Sequence, residues 1–236
     1  MIRRSIAFFL SFTLIYLFCG RIFIKSLALD EDCVSKEYYF NRNKENMIAL
    51  TFDDGPHPRQ TYEILNILKK YDIKATFFVI GVNVKNYPNV LKAVAESGHE
   101  IGNHTFSHKY VKGENGEKII NDLTQCNKII YEACGIMPTI FRAPGGLMDD
   151  ISVSNRQVFA QYKIIYWSID TKDWDHHSPT QIAQNVLTTI KSGDIILMHD
   201  YIGYNSPTAE ALELIIPKLL ERGYKFVTVS ELISAK

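Results

Sequence analysis

From about residue 30 onward, short apolar runs alternate with stretches of helical spacing. Runs rich in β-branched and aromatic residues fall at 47–52, 75–80, 100–103, 139–142, 163–169, 194–198 and 225–229. Between them, 61–71, 90–97, 117–133, 154–162, 180–191 and 208–222 have helical spacing, as Ile64, Leu65 and Leu68 at i, i+1 and i+4 show. Ser97-Gly98, Cys134-Gly135, Ser192-Gly193 and Arg222-Gly223 stand where helices should end. Strands alternating with helices predict an α/β fold, with a parallel sheet and helices outside it. At 236 residues a closed or nearly closed β/α barrel of seven strands fits best, and an open doubly wound sheet is the alternative. No internal repeat or second domain is visible. The expected domain runs over 45–236, with 29–44 a polar linker.

The first 28 residues break this pattern. After Arg3 and Arg4, residues 5–20 carry no charge, and twelve of those sixteen are apolar. Arg21 interrupts, then Ile22, Phe23 and Ile24 precede Lys25. A positive start followed by an apolar run is an export signal. Sixteen helical residues span roughly 24 Å, and about 30 Å is reached if Arg21 snorkels. Ser26-Leu27-Ala28 has the form of a cleavage site, but Arg21 and Lys25 separate it from the apolar run. The expectation is an uncleaved anchor with the domain outside the cytoplasm, and a cleaved signal is the alternative.

Charge sharpens this division. Basic and acidic residues balance at 26 each. Residues 1–28 hold four basic groups and no acidic one, leaving 22 against 26 in the remainder, a formal −4. A nucleic-acid binder relying on bulk positive charge is excluded, as is a multi-pass membrane protein. Four cysteines are present, and none form CxxC. Cys126 and Cys134, eight residues apart on one expected helix, are roughly 12 Å apart along its axis and cannot bridge each other. Cys33 could pair with either.

In such folds the chemistry gathers where strands end at their C-terminal side. The first run ends in Asp53-Asp54-Gly55-Pro56, two carboxylates in tandem. The third leads into His104-Thr105-Phe106-Ser107-His108, with imidazoles at i and i+4. Two imidazoles, a carboxylate from another strand end and an open position make a usual catalytic zinc site. The fourth run delivers Arg142-Ala143-Pro144-Gly145-Gly146, a guanidinium followed by glycines whose N–H groups can approach a ligand. Asp170-Thr171-Lys172-Asp173-Trp174 and Leu197-Met198-His199-Asp200 end the fifth and sixth.

TFDDGP at 51–56, HTFSH at 104–108, RAPG at 142–145, DTKDW at 170–174 and LMH at 197–199 resemble, in order, the five motifs of the polysaccharide deacetylases. This is carbohydrate esterase family 4, which shares the chitooligosaccharide deacetylase domain of nodulation-factor synthesis. The resemblance covers about residues 45–232. It implies a distorted (β/α) barrel that removes N-acetyl groups from amino sugars. By resemblance Asp53 is the catalytic base, and Asp54, His104 and His108 hold a divalent metal, zinc by default with cobalt or manganese able to replace it. Arg142 orients the base, His199 is the general acid and Asp170 is its carboxylate partner. Pro144 and Gly145 border the substrate, with the Gly145 N–H as oxyanion donor, and Trp174 and Leu197 wall the acetyl methyl. The family usually carries an aromatic residue where this chain has Gly145, which bears on the wall of the sugar groove.

The expected substrate is an N-acetylated cell-wall glycan, peptidoglycan first, with membrane contact through the N-terminal segment and no nucleic-acid partner. A chitooligosaccharide deacetylase, a non-catalytic glycan-binding barrel and an amidase for non-sugar amides are the alternatives. Nothing in the sequence sets an oligomeric state. His57 and His99 are expected to support the motif residues beside them or to be structural, and His176 and His177 to sit on a loop, lining the groove or in solvent. Tyr38, Tyr39 and Phe40 are expected at the barrel bottom or an edge, and Tyr201 or Tyr204 is placed to stack on a sugar.

Overall fold

The computed structural model describes residues 36–42, 45–111, 113–148, 157–203 and 205–234. The elements run β1 (Glu37–Tyr38), β2 (Met47–Asp53), α1 (Gln60–Lys70), β3 (Thr76–Val79), α2 (Gly81–Asn86), α3 (Pro88–Glu96), β4 (Glu100–Asn103) and α4 (Gly116–Cys134). They continue with β5 (Ile140–Phe141), β6 (Lys163–Ile165), β7 (Ile169–Asp170), α5 (Pro179–Thr189), β8 (Ile195–His199), α6 (Thr208–Glu221), β9 (Lys225–Phe226) and α7 (Val229–Ser234). Among the described residues nine strands form one sheet in the order β1-β6-β5-β4-β3-β2-β8-β7, with β9 also on β2. Every strand pair is parallel. The chain is an α/β protein whose parallel sheet curls into a distorted, incompletely closed barrel with helices outside it.

The faces follow the two-residue period of a strand. On β2, Ile48, Leu50 and Phe52 join the cluster packed beneath the helices, where Ile64, Leu68, Val94, Ile182 and Leu212 lie. Ala49 turns the other way, into a smaller inner cluster with Phe78, Ile140, Ile165 and Ile195. Val229 and Leu232 of α7 enter that inner cluster and close the barrel bottom. Asp53 pairs with His199 in the register between β2 and β8, so the inward row of each strand ends in a polar group at the barrel mouth. Gly102 serves this packing, since a Cβ there would collide with the Phe78 ring.

Local signals start and stop the helices. The Asn115 side chain accepts from the Lys118 N–H at 2.9 Å and begins α4, and Gly135, at φ 74°, ends it. Ser178 and Gln181 cap α5 reciprocally, with Pro179 in its first turn.

Three expectations change. The segment read as linker contains β1, which pairs with β6, and Asn41 N–H donates to the Gly193 carbonyl at 2.8 Å. Two in-register residues are too few for periodicity to show. The run at 163–169 divides into β6 and β7, which lie near opposite ends of the strand order. Of the helix expected at 154–162, the described part is a 3-10 turn at Gln157–Phe159. The signal or anchor at 1–28, Cys33 and Tyr204 lie outside the described residues. Among the described residues, neither Cys126 nor Cys134 is in a disulfide, and no helix is long and apolar enough to cross a membrane.

Candidate active site

The barrel mouth brings four of the five motifs together around Asp53. Asp53 is buried and its Oδ1 accepts from Arg142 Nη1 at 2.7 Å. Its Oδ2 lies 3.8 Å from His104 Nε2. Asp54 has left the strand at φ 76°, which turns its carboxylate toward the imidazoles. Asp54 Oδ1 is 3.4 Å from His104 Nε2 and 3.1 Å from His108 Nε2. Thr105 and His108 also adopt positive φ, 68° and 55°. Such backbone costs roughly 1–3 kcal/mol per residue and persists where surrounding contacts over-determine it.

Those contacts are visible. Asn103 Oδ1 accepts from the Thr105 N–H at 2.7 Å, while its amide donates to the Leu123 carbonyl and to Asn127. Asp122 of α4 accepts from the Phe106 N–H and from Ser107 Oγ, each at 2.6 Å. The loop carrying both histidines is therefore tied to α4. His104 Nδ1 donates to the Arg142 carbonyl at 2.7 Å, which fixes its tautomer and leaves Nε2 facing Asp54.

Asp54, His104 and His108 offer ligand atoms that all lie within 4.8 Å of one another. Asp54 Oδ1 is buried and has no hydrogen-bond partner among the described residues. Burial acts against the Asp54 charge, yet the two imidazoles outweigh it and hold the carboxyl far below the usual range. Burial likewise acts against a charged His104, but the Asp53 and Asp54 carboxylates raise its pKa. The pocket favours positive charge at this point, and its donor set of two imidazoles and one carboxylate fits a divalent cation.

Arg142 is the largest fully buried side chain. Burial pulls its pKa down and the Asp53 carboxylate opposes that. All its donor nitrogens are engaged: Nε donates to the Ile165 carbonyl at 3.2 Å, Nη1 to Thr51 Oγ1 and Asp53, and Nη2 to the Tyr166 carbonyl at 3.0 Å. The guanidinium lies 4.2 Å from the Phe78 ring centroid. Five partners hold this cation rigidly, and it in turn orients Asp53.

On the neighbouring strand, His199 Nδ1 donates to Asp173 Oδ1 at 2.8 Å. Asp173 Oδ2 accepts from the His199 N–H at 2.8 Å and from Thr208 Oγ1 at 2.7 Å. This corrects the expectation for Asp170. Asp170 Oδ1 accepts instead from the Lys172 N–H at 2.9 Å and Trp174 Nε1 at 3.3 Å. Lys172 at φ 55° turns the chain between the two acids and sends Asp173 back beneath His199. Burial acts against a charged His199, but the Asp173 bond and the nearby Asp53 and Asp54 charges raise its pKa to about 9.

The remaining expected residues fall around this centre. Pro144 and Gly145 form the 3-10 turn Pro144–Gly146 just after Arg142, with Gly145 at φ 64°. Leu197 is buried on the inward row with His199, and Trp174 is half exposed. His57 Nδ1 accepts from the Gln60 N–H at 3.2 Å at the start of α1, and the ring stacks on Tyr201 at 4.7 Å. His99 is buried against Phe77, with its pKa lowered to about 4 by burial and by Lys74. His177 Nδ1 donates to the Asp175 carbonyl in the loop after Trp174.

Asp200, named at the end of the sixth run without a role, pairs with Thr61. Asp200 Oδ2 accepts from Thr61 Oγ1 at 2.6 Å, and its N–H donates to the Asp53 carbonyl at 3.1 Å. A Cβ at Gly55 would collide with this carboxylate, which explains glycine after the tandem acids. A residue beside His199 whose partner lies 139 positions away carries no local signal.

Comparison with known proteins agrees with this geometry. A family model described as polysaccharide deacetylase matches residues 40–165. A peptidoglycan-N-acetylglucosamine deacetylase of Bacillus cereus is 42% identical over 196 residues, covering 82% of this chain and 91% of that protein. A peptidoglycan-N-acetylmuramic acid deacetylase of Bacillus subtilis is 36% identical over 193 residues, covering 81% of this chain and 40% of that longer protein. The solved structure of a peptidoglycan N-acetylglucosamine deacetylase in complex with an N-oxidanyl-benzamide superposes with a TM-score of 0.79 at 33% identity. That superposition covers 85% of this chain and 94% of the other. Fold, motif order and sequence identity together show that this chain belongs to the polysaccharide deacetylase family.

Proposed function

We propose that this chain removes the N-acetyl group from amino sugars of peptidoglycan, outside the cytoplasm, releasing acetate. The observation that carries the reading is the placement of Asp53. One oxygen is occupied by Arg142, and the other faces the Asp54, His104 and His108 pocket. Named relatives that act on peptidoglycan support the substrate.

An acetamide is a poor electrophile and its amine a poor leaving group. Asp54, His104 and His108 would hold a divalent cation, which would supply Lewis acidity and lower the pKa of a bound water. Zinc is the proposed ion, on the strength of the donor set. Asp53 takes the proton of the attacking water at Oδ2, because Oδ1 is held by Arg142. The Gly145 N–H donates to the developing oxyanion. His199 Nδ1 is committed to Asp173, so Nε2 gives a proton to the departing nitrogen. A pKa of about 9 keeps that ring charged at neutral pH, as an acid must be. Leu197 and Trp174 receive the acetyl methyl.

Residues 1–28 are proposed to export the domain and tether it to the membrane, on the basis of their positive start and apolar run. The decisive assay is acetate release from purified peptidoglycan and from chitin oligomers, with and without chelator and with zinc restored. Release from chitin oligomers alone would refute the peptidoglycan assignment, and chelator-resistant release would refute the metal's part.

A further inference from the structure

The loop that carries His104 and His108 continues to Tyr110, a residue 59% exposed. A Cβ placed on Gly145 would lie 3.0 Å from Tyr110 Cε1. Gly145 also has φ 64°, a backbone that strains any other residue. The Tyr110 ring thus occupies the space beside residue 145 that a side chain on that residue would take. It joins the histidine loop to the turn following Arg142, the turn whose N–H groups border the reacting acetyl group. Beside the ring opens a cleft of about 330 Å³ between this loop and α4. Its lining sets Tyr110 beside Lys109, Glu114, Asn121, Asp122 and Gln125, one aromatic face among ammonium, carboxylate and amide groups. A pyranose ring has the matching chemistry, with an apolar C–H face and a rim of hydroxyl and amide groups. Pockets of this size and mixed lining hold small ligands.

We propose that Tyr110 and this cleft form a subsite for the sugar unit adjacent to the one being deacetylated, with the Tyr110 ring stacking on its apolar face. The proposal rests on the deacetylase reading above and extends it to chain recognition. Tyr110 replaces, from a different loop, the aromatic wall that Gly145 does not provide. The phenolic oxygen is not required, so phenylalanine is an adequate substitute.

The test compares zinc-loaded wild type, Tyr110→Ala and Tyr110→Phe on tetra-N-acetylchitotetraose and on 4-nitrophenyl acetate, which has no neighbouring sugar. Tyr110→Ala should raise KM for the tetramer about three- to tenfold and leave kcat within about twofold. Tyr110→Phe should match wild type on both substrates, and Tyr110→Ala should lose less on the ester than on the tetramer. An unchanged tetramer KM in Tyr110→Ala overturns the proposal, as does an equal kcat loss on both substrates, which marks Tyr110 as packing for Gly145 only. Calorimetric titration with the tetramer separates this from failure of the deacetylase reading. A wild-type chain that binds the tetramer, loses that binding in Tyr110→Ala and releases no acetate keeps the subsite and refutes the activity. Equal binding by wild type and Tyr110→Ala refutes the subsite whatever the activity.

Discussion

Replacing Asp173 with asparagine should cripple turnover, whereas the same change at Asp170 should not. In the native site the Asp173 carboxylate accepts three hydrogen bonds, two from His199 and one from Thr208. Asparagine offers one oxygen in place of two and carries no charge. Loss of the anion lets the His199 pKa fall from about 9 toward its ordinary 6.5. At about pH 7.5 a ring of pKa 9 is more than nine-tenths protonated, and one of pKa 6.5 about one-tenth protonated. That alone costs about tenfold in kcat, and loss of ring orientation costs about tenfold more. The expected result is a kcat roughly 10²-fold lower with KM little changed, and a deficit that narrows as pH is lowered toward 6. Asp170→Asn should stay within about threefold of wild type, since its oxygen caps a turn. The assay is the pH–rate profile of acetate release for the three zinc-loaded proteins. An alkaline limb unmoved in Asp173→Asn, or a larger loss in Asp170→Asn, would refute the pairing. The same pair links stability to pH. A histidine whose folded pKa exceeds its unfolded 6.5 contributes fully below that value and ceases to contribute as pH rises through about 9. The urea-midpoint difference between wild type and His199→Gln should therefore shrink across that window.

Asp54→Ala should lose both bound metal and activity, and retained stoichiometric zinc by atomic absorption would overturn the ligand assignment. Asp53→Asn should keep its zinc while kcat falls by about 10³; near-normal turnover would place the base elsewhere. Arg142→Met should destabilise the fold by about 3–5 kcal/mol in urea unfolding, because it strands the buried Asp53 carboxylate. A midpoint shift under about 1 kcal/mol would mean that water reaches Asp53. Gly102→Ala should lower stability by about 1–3 kcal/mol through contact with the Phe78 ring, and an unchanged melting temperature would show that this ring can shift freely.

Much of the site was legible because its residues cluster in short motifs at strand ends. Asp53-Asp54, His104 with His108, Arg142 and His199 each follow a buried run, and the structure brings all of them to one barrel mouth. Periodicity placed the long helices within a residue or two, because each carries an apolar face, and α4 and α5 also carry local caps. It failed for β1, since two residues contain no period, and for the division between β6 and β7, since both parts are apolar.

The acid that holds His199 shows where local reading stops. Asp170 and Asp173 are three residues apart in one motif, and resemblance pointed to Asp170. The choice depends on the positive φ at Lys172 and on Thr208, which reaches Asp173 from 35 residues away. The same holds for Asp200 under Gly55 and Tyr110 over Gly145. By itself the sequence determined which chemical groups reach the strand ends, because strand periodicity and breakers are local properties of a few consecutive residues. Only the tertiary structure decided which of them touch. Those pairings are made between segments tens of residues apart, and a change of one backbone angle redirects a carboxylate from one partner to another.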